Sequence, residues 1–342
     1  MLSQYKQEYI TTSRLKTAYY RGGQENKKKL LLIHGNMSSS VFFLPLLPQL
    51  SQNFDTLIPD LRCFGNSESL PIDATKGFRE WTKDLVEVTD ALGWEEFSIL
   101  GWSLGGGVAM QFAMDYSDRV EKLVLLAPCP PCGFGGTVGE EGTPIQPVGL
   151  GSGAGSANKQ MLMVTAAQSK EVLSGLLHSF CFSADFHLDP KIEDMLIEGL
   201  TSMKLDDQMY PGDYYYTVHW PHVLAGDHGV LNTMSPKHVN MKPLLELAKK
   251  PDILWIHGLN DVIVSDYSIL DFGHLGSMGM VPGWPGMKVF PPQPMISQTR
   301  HFLNLYEEHG GHYHESIMPG GHACHLEGQE HFVYTLKSFL ES

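Results

Sequence analysis

The sequence contains few charged residues, and basic ones are the scarcer kind. Asp, Glu, Lys and Arg make up 18% of the 342 residues, and 24 basic side chains face 38 acidic ones, which gives a formal net charge of −14. Nucleic acids and anionic membranes bind proteins through surfaces rich in Lys and Arg. We therefore expect neither as a partner. Because hydrophobic residues make up 42% of the chain, a globular protein with a substantial core is expected instead.

Secretory signals and membrane-length apolar runs are also missing. Residues 1–12 mix polar and aromatic side chains, without the basic start and apolar stretch of a signal peptide. The longest apolar candidates, such as Val41–Leu47, fall far short of the roughly 20 residues that cross a bilayer. The sequence thus predicts a cytoplasmic protein with no membrane segment.

Cysteine is scarce, with five residues scattered from Cys63 to Cys324, which excludes a disulfide framework in a chain of this length. Cys129 and Cys132 have the spacing of redox or zinc motifs. No second pair lies nearby, so we predict a structural role for both. The His and Glu residues between 307 and 314 fit no zinc signature, and no metal or cofactor is predicted.

Short apolar runs alternate with helical patterns over the first part of the chain. The runs predicted as buried strands are Lys29–Ile33, Phe54–Pro59, Phe97–Trp102 and Val120–Ala127. Phe78–Leu92 between them has helical spacing. Such alternation predicts an α/β fold with a doubly wound, mostly parallel sheet and helices on both faces.

The alternation stops after Pro128 and resumes near residue 250. Within this interval a Gly- and Pro-rich connection precedes three segments that together predict an inserted helical cap: Lys159–His178, Pro190–Met203 and the aromatic, His-rich Tyr210–His228. The predicted division is core 1–128, cap 129–249 and core 250–342, with a long ordered loop at 265–313. The second core part is expected to contain strands at Asp252–His257 and Glu315–Met318 and a closing helix at Gln329–Leu340.

Ser103 lies in the segment Gly101–Gly105 (GWSLG), between an apolar strand and a helical stretch. Glycines two positions before and two after a serine allow a sharp strand-to-helix turn that exposes the hydroxyl at its tip. The context predicts that Ser103 is a nucleophile. A serine hydroxyl needs an imidazole to accept its proton and a carboxylate to orient that imidazole.

His322 is the predicted general base, because it follows two glycines between the last predicted strand and the last helix. His325 is the less favoured alternative, expected to cap or pack in the following turn. Asp261 follows the strand that begins at Asp252, and the order Ser, Asp, His is typical of hydrolases with this turn. Asp266 and Asp271 are the runners-up for the carboxylate.

Two backbone N–H groups are predicted to form an oxyanion hole, those of Leu104 and Asn36, with Met37 as the alternative to Asn36. Asn36 follows His34 and Gly35 at the end of the first predicted strand. Trp102, Tyr215 and Trp220 are the predicted substrate-binding residues, since such aromatic side chains are typical of apolar pockets. For Tyr215 and Trp220, packing in the core is an equally good interpretation.

These segments, together with 60–67 (DLRCFGNS), resemble the α/β-hydrolase superfamily. The resemblance spans most of the chain and is closest to the cap-bearing branch of esterases, carbon-carbon bond hydrolases, haloperoxidase-like enzymes and lactonases. It implies the core fold and the Ser103, Asp261 and His322 triad. The stretch from Asp261 to His322 is longer than is usual in that branch.

Together, these sequence features predict a serine hydrolase that cleaves a carboxylic ester of a small apolar molecule through an acyl-enzyme. Serine at the turn excludes the alkyl-enzyme chemistry of haloalkane dehalogenases and epoxide hydrolases, which needs an aspartate there. A carbon-carbon bond hydrolase, a lactonase or a thioesterase would use the same triad. A catalytically silent ligand receptor is the alternative of another class.

Overall fold

A computed structural model describes residues 2–23, 27–157 and 169–342 of the chain. Its main sheet has eight strands in the order β1-β2-β4-β3-β5-β6-β13-β14. The bounds are β1 Glu8–Thr11, β2 Lys16–Gly22, β3 Lys28–Ile33, β4 Phe54–Pro59, β5 Phe97–Trp102, β6 Val120–Leu126, β13 Asp252–Gly258 and β14 Tyr313–Met318. The pairs β1-β2 and β2-β4 are antiparallel, and the remaining pairs are parallel. The predicted mostly parallel, doubly wound sheet is confirmed.

Helices flank this sheet, and short strands lie outside it. The helices are α1 Leu47–Leu50, α2 Arg79–Ala91, α3 Leu104–Asp115, α4 Lys170–Cys181, α5 Pro190–Leu200, α6 Phe272–Ser277, α7 Met295–Glu308, α8 Cys324–Glu327 and α9 Gln329–Glu341. The short strands are β7 Thr137–Val138, β8 Thr143–Pro144, β9 Leu205–Asp206, β10 Tyr210–Pro211, β11 Tyr214–Tyr216 and β12 Val223–Ala225. Short 3-10 helices span Leu2–Gln4, Ser40–Phe42, Leu44–Leu46, Ala74–Lys76, Ser117–Arg119, Gly153–Ser156, Leu231–Met234 and Lys242–Glu246.

The continuous apolar run in β3 is explained by burial on both faces of the sheet. Leu31 and Ile33 belong to one core cluster, whereas Leu30 and Leu32 belong to the other. Side chains alternate between the faces of a strand, so a strand covered on both sides must be apolar at every position. Burial on both faces therefore explains why β3 is apolar from Leu30 to Ile33.

Two expectations for the middle of the chain need correction. Tyr210–His228 is not helical, because β11 and β12 pair as an antiparallel ribbon, Tyr214 opposite Ala225. The 265–313 segment is not a simple loop, since it contains α6 and α7. Lys159–His178 was predicted as a helix; its residues 159–168 lie outside the described residues, and the rest is helical from Lys170.

No helix in the described ranges is long and apolar enough to cross a bilayer.

Helix α3 approaches the end of β3 so closely that Gly105 leaves no room for a side chain. A Cβ there would lie 2.2 Å from the Ile33 carbonyl oxygen. A Cβ at Gly175, inside α4, would meet nothing within 4 Å. The tight turn after β5 thus depends on glycine, whereas α4 does not.

We predict that Gly105→Ala lowers the free energy of unfolding by about 1–3 kcal/mol, the usual range for overpacking. Gly175→Ala should raise it by about 0.5–1 kcal/mol, because alanine is the better helix former. Urea unfolding of both variants measures the difference. Equal effects of the two substitutions would contradict the close packing of α3 on β3.

Candidate active site

Ser103 lies at the tip of the turn between β5 and α3, with a backbone φ of 56° and ψ of −119°. A positive φ is strained for a residue with a side chain and is often found at functional sites. The turn is held by backbone hydrogen bonds, since the Ser103 N–H donates to the Leu126 oxygen at 2.9 Å and the Cys129 N–H donates to the Ser103 oxygen at 2.8 Å. Ser103 is partly exposed between buried neighbours.

His322 and Asp261 form a buried hydrogen-bonded pair. The His322 Nδ1 atom lies 2.8 Å from Asp261 Oδ2. The other carboxylate oxygen of Asp261 accepts the Ile263 N–H at 2.7 Å and the Val264 N–H at 3.0 Å. With one oxygen held by the backbone, the other is fixed toward the imidazole. Such a contact sets the tautomer with the proton on Nδ1, which leaves Nε2 to accept a proton.

Backbone pairing beyond the strand ends brings the Asp261 and His322 loops together. The Leu259 N–H donates to the Met318 oxygen at 2.8 Å, and the Asn260 N–H donates to the Gly320 oxygen at 2.9 Å. These bonds extend the parallel ladder of β13 and β14 into both loops. Ser103, Asp261 and His322 accordingly follow the carboxyl ends of β5, β13 and β14, at one edge of the sheet.

Trp102 lies beneath His322 and not in a substrate pocket, so its predicted binding role needs correction. It is 2% exposed, and its indole N–H donates to the His322 oxygen at 2.9 Å. The two rings lie 5.3 Å apart. The position before the nucleophile faces the core because β5 is covered on both sides.

Tyr215 and Trp220, the other predicted substrate-binding residues, both make contacts within the protein, and their substrate role stays a prediction. The Tyr215 hydroxyl, on the exposed ribbon, donates to Asp227 at 3.1 Å. The Trp220 indole donates to the Pro282 oxygen at 2.9 Å, and its ring packs against Phe290. Trp220 therefore fastens the ribbon to the 265–313 segment.

The predicted oxyanion segment is fixed by buried polar contacts. The His34 Nδ1 lies 2.9 Å from the Gly35 oxygen, and its Nε2 accepts the Leu61 N–H at 2.9 Å. Burial lowers the pKa of His34, so the ring stays neutral. The Ser38 hydroxyl also donates to the Gly35 oxygen, at 2.7 Å. These contacts shape the turn at Asn36.

The two predicted N–H donors lie on facing segments. Leu104 is the first residue of α3, where N–H groups have no acceptor inside the helix. A Cβ at Gly35 would lie 3.0 Å from the Ser103 Cβ, so the segment before Asn36 passes directly beside the nucleophile. The side-chain oxygen of Asn36 is buried and has no hydrogen-bond partner among the described residues. Met37, the alternative donor, adopts a positive φ of 48°.

The less favoured candidates for the triad, Asp266, Asp271 and His325, have structural contacts elsewhere. Asp271 accepts the His274 N–H at 2.9 Å at the start of α6, and Asp266 accepts the Ile296 N–H at 2.8 Å at the start of α7. His325 is fully buried, 5.2 Å from the Trp102 ring. Burial raises the pKa of the Cys132 thiol to about 12, which disfavours a reactive thiolate there.

Comparison with known proteins identifies the fold. A family model described as the α/β-hydrolase fold matches residues 28–142. The solved enol-lactonase from Burkholderia xenovorans is 17% identical, with a TM-score of 0.60, over 98% of this chain and 100% of that chain. The chain has the α/β-hydrolase fold. The resemblance predicted from the sequence is thereby confirmed.

Curated relatives match a smaller part of the chain than this solved structure does. Carboxylesterase YbfK from Bacillus subtilis is 32% identical over 123 residues, 35% of this chain and 40% of that protein. The 2-hydroxymuconate semialdehyde hydrolase of a Pseudomonas species is 34% identical over 100 residues, 28% of this chain and 35% of that protein. The chain thus spans about two fifths or less of the length of these two relatives.

The buried His325 should make stability depend on pH. Burial, the largest cause, lowers its pKa from 6.5 to about 3. The unfolded chain therefore binds one more proton than the folded chain between these values, and folding stability falls as pH falls below 6.5, by about 1.4 kcal/mol per pH unit. Above that pH the contribution is fully present.

We predict that the parent loses about 1.4 kcal/mol more than His325→Leu when the pH is lowered from 7.5 to 5.5, from the same linkage. Urea unfolding at both pH values measures this loss. The exposed His331→Leu variant is the control and should follow the parent. Parallel pH dependence of the parent and His325→Leu would contradict the assignment.

Proposed function

We propose that the protein is a serine hydrolase of the carboxylesterase type, acting on esters of small apolar molecules through an acyl-enzyme. The observation that carries this proposal is the buried pair of His322 and Asp261, whose atoms lie 2.8 Å apart. This pair follows strand ends at the same sheet edge as the strained turn at Ser103. A positioned base at the same sheet edge as a partly exposed serine is the arrangement that nucleophilic catalysis requires.

In the proposed reaction the Ser103 oxygen attacks the ester carbonyl while His322 Nε2 accepts the hydroxyl proton. The tetrahedral intermediate places its negative oxygen at the N–H groups of Leu104 and Asn36. His322 then returns the proton to the departing alcohol, and the acyl group stays on Ser103. Water, deprotonated by the same imidazole, attacks the acyl-enzyme, and the acid leaves as Ser103 recovers its proton.

Asp261 contributes by holding His322 and by stabilising its charged form. The carboxylate side chain is 1% exposed, so little water competes for its oxygen. A negative charge at this depth favours the imidazolium that exists during both half-reactions. The hydrogen bond from the Trp102 indole to the His322 oxygen also holds the backbone of His322 in place.

The relatives' names support an ester or related acyl bond as the target. One relative is a carboxylesterase, another a semialdehyde hydrolase, and a structural neighbour is an enol-lactonase. Carbon-carbon bond hydrolase, lactonase and thioesterase chemistry are the alternatives that the same residues allow. We propose that residues 129–249 form the cap that selects among them, since such insertions and not the triad set substrate choice.

We predict that Ser103→Ala and Asp261→Asn lower kcat on p-nitrophenyl butyrate by about 10³- to 10⁴-fold or more, as triad substitutions do in other serine hydrolases. Steady-state kinetics on purified protein measures the loss. Asp266→Asn, in the loop after Asp261, is the matched control and should keep near-parental activity. Turnover by Ser103→Ala at the parental rate would contradict the mechanism.

A fluorophosphonate probe separates the enzyme from the silent receptor. We predict a stoichiometric mass increase on the peptide that contains Ser103, and none in Ser103→Ala. A separate, unlabelled sample of the enzyme is assayed on short and long aryl esters, lactones, thioesters and vinylogous diketones. Rapid turnover of diketones alone would overturn the esterase proposal, and an unmodified Ser103 would favour the receptor.

A further inference from the structure

The loop that carries His322 is hydrogen-bonded directly to the inserted part of the chain. The residues concerned are 181–183, at the end of α4, which we call the cap segment 181–183. The Ala323 N–H donates to the Cys181 oxygen at 2.8 Å. The peptide group immediately after His322 is therefore fixed by the insertion and not by the sheet.

Gly321, immediately before His322, allows this close approach. A Cβ at Gly321 would lie 2.9 Å from the Cys181 oxygen and 3.0 Å from the Phe182 carbonyl carbon. Both of these atoms are backbone atoms, which cannot move away as a flexible side chain would. The cap segment 181–183 consequently packs against the backbone on both sides of His322.

The Glu327 carboxylate joins the two segments. Its Oε1 accepts the Gly321 N–H at 2.5 Å. The Ser183 N–H lies 3.2 Å from both carboxylate oxygens. Glu327 lies in α8, the short helix after His322, and it is half-buried. One acidic side chain thus accepts hydrogen bonds from the loop of the general base and from the insertion.

The position of Glu327 suits this bridging role. Within the described ranges Glu327 makes no salt bridge, and its carboxylate accepts hydrogen bonds from the two backbone N–H groups of Gly321 and Ser183. Hydrogen bonds from N–H groups to a carboxylate are stronger than those to a neutral oxygen. Asp261 and Glu327 both act on the buried Cys181 thiol, whose pKa burial and these charges raise to about 12.

We propose that Glu327 is a positioning residue for His322. Through Glu327, the position of the insertion affects the orientation of the general base. The inference rests on the proposed function of His322. Asp261 and Trp102 hold the imidazole and the carbonyl group of His322. Glu327 holds the N–H group of Gly321, and the Cys181 oxygen holds the N–H group of Ala323. Loss of the Glu327 contacts weakens the link between this loop and the insertion, although the hydrogen bond from Ala323 to Cys181 stays. Ser103, Asp261 and His322 all remain.

The first experiment is a comparison of Glu327→Ala, Glu327→Gln and Glu330→Ala. Glu330 is exposed, three positions later on the following helix, and serves as the matched control. The assay uses p-nitrophenyl butyrate well below the melting temperature, with kcat expressed per Ser103 that the fluorophosphonate probe labels. This normalisation removes any loss of folded protein from the comparison.

We expect Glu327→Ala to lower kcat by about 10- to 100-fold, the scale of a small misplacement of a catalytic group. KM should change less than about twofold, because the imidazole serves both half-reactions and both slow together. Glu327→Gln retains one oxygen that can accept both N–H groups, so it should restore most of the rate. Glu330→Ala should match the parent.

Hydrogen exchange followed by mass spectrometry tests the same link without catalysis. Peptides covering 181–186 and 319–325 should exchange faster in Glu327→Ala than in the parent, with no change in Glu330→Ala. If Glu327→Ala does not fold, Glu327→Asp takes its place, because its side chain is one methylene too short to keep both N–H contacts: faster exchange in both peptides supports the proposal. Parental kcat and parental exchange in the folded variant overturn it. Failure of the parent on every ester would instead reject the proposed function, since the exchange result stands independently.

Discussion

The hydrogen bond between His322 and Asp261 is the contact on which the rest of the site depends. It joins two loops 61 positions apart in sequence, and it forms only if β13 and β14 pair in the correct register. The pairing of Gly258 with Met318 sets that register at the strand ends. A one-residue slip would turn every side chain of the strand to the opposite face, and it would separate the imidazole from its carboxylate. The register of the sheet thus determines whether His322 and Asp261 can form their hydrogen bond.

Backbone hydrogen bonds connect the three loops of the site across the sheet edge. The Ser103 N–H donates to the end of β6, and the Ala127 N–H donates to the Ile256 oxygen of β13 at 2.7 Å. Because these donors and acceptors are buried, breaking one leaves an unpaired polar group at a cost of about 1–3 kcal/mol. The geometry of the site is therefore supported by the same interactions that hold the sheet together. Residues 181 and 183 add their own contacts at the His322 loop.

The sequence was most informative where one physical demand fixed the residue. Strand burial explains the apolar run of β3, and a sharp turn explains the glycines around Ser103. Prediction was wrong where several arrangements satisfy the same pattern. Tyr210–His228 was predicted as helical although it has no clear period, and the ribbon that it forms depends on partners elsewhere in the chain. Trp102 was misassigned because an aromatic residue beside a nucleophile fits a pocket or a core equally well. Glu327 gave no signal, since its role depends on the distant Ser183.

The central claim is that Ser103 carries the acyl group during turnover. Rapid mixing with p-nitrophenyl acetate, followed by acid quenching and peptide mass mapping, measures it directly. We expect an initial burst of one nitrophenol per chain and an acetyl group on the peptide containing Ser103. Linear product formation with no acetyl group on that peptide, or an acetyl group that maps to another residue and turns over, would contradict it.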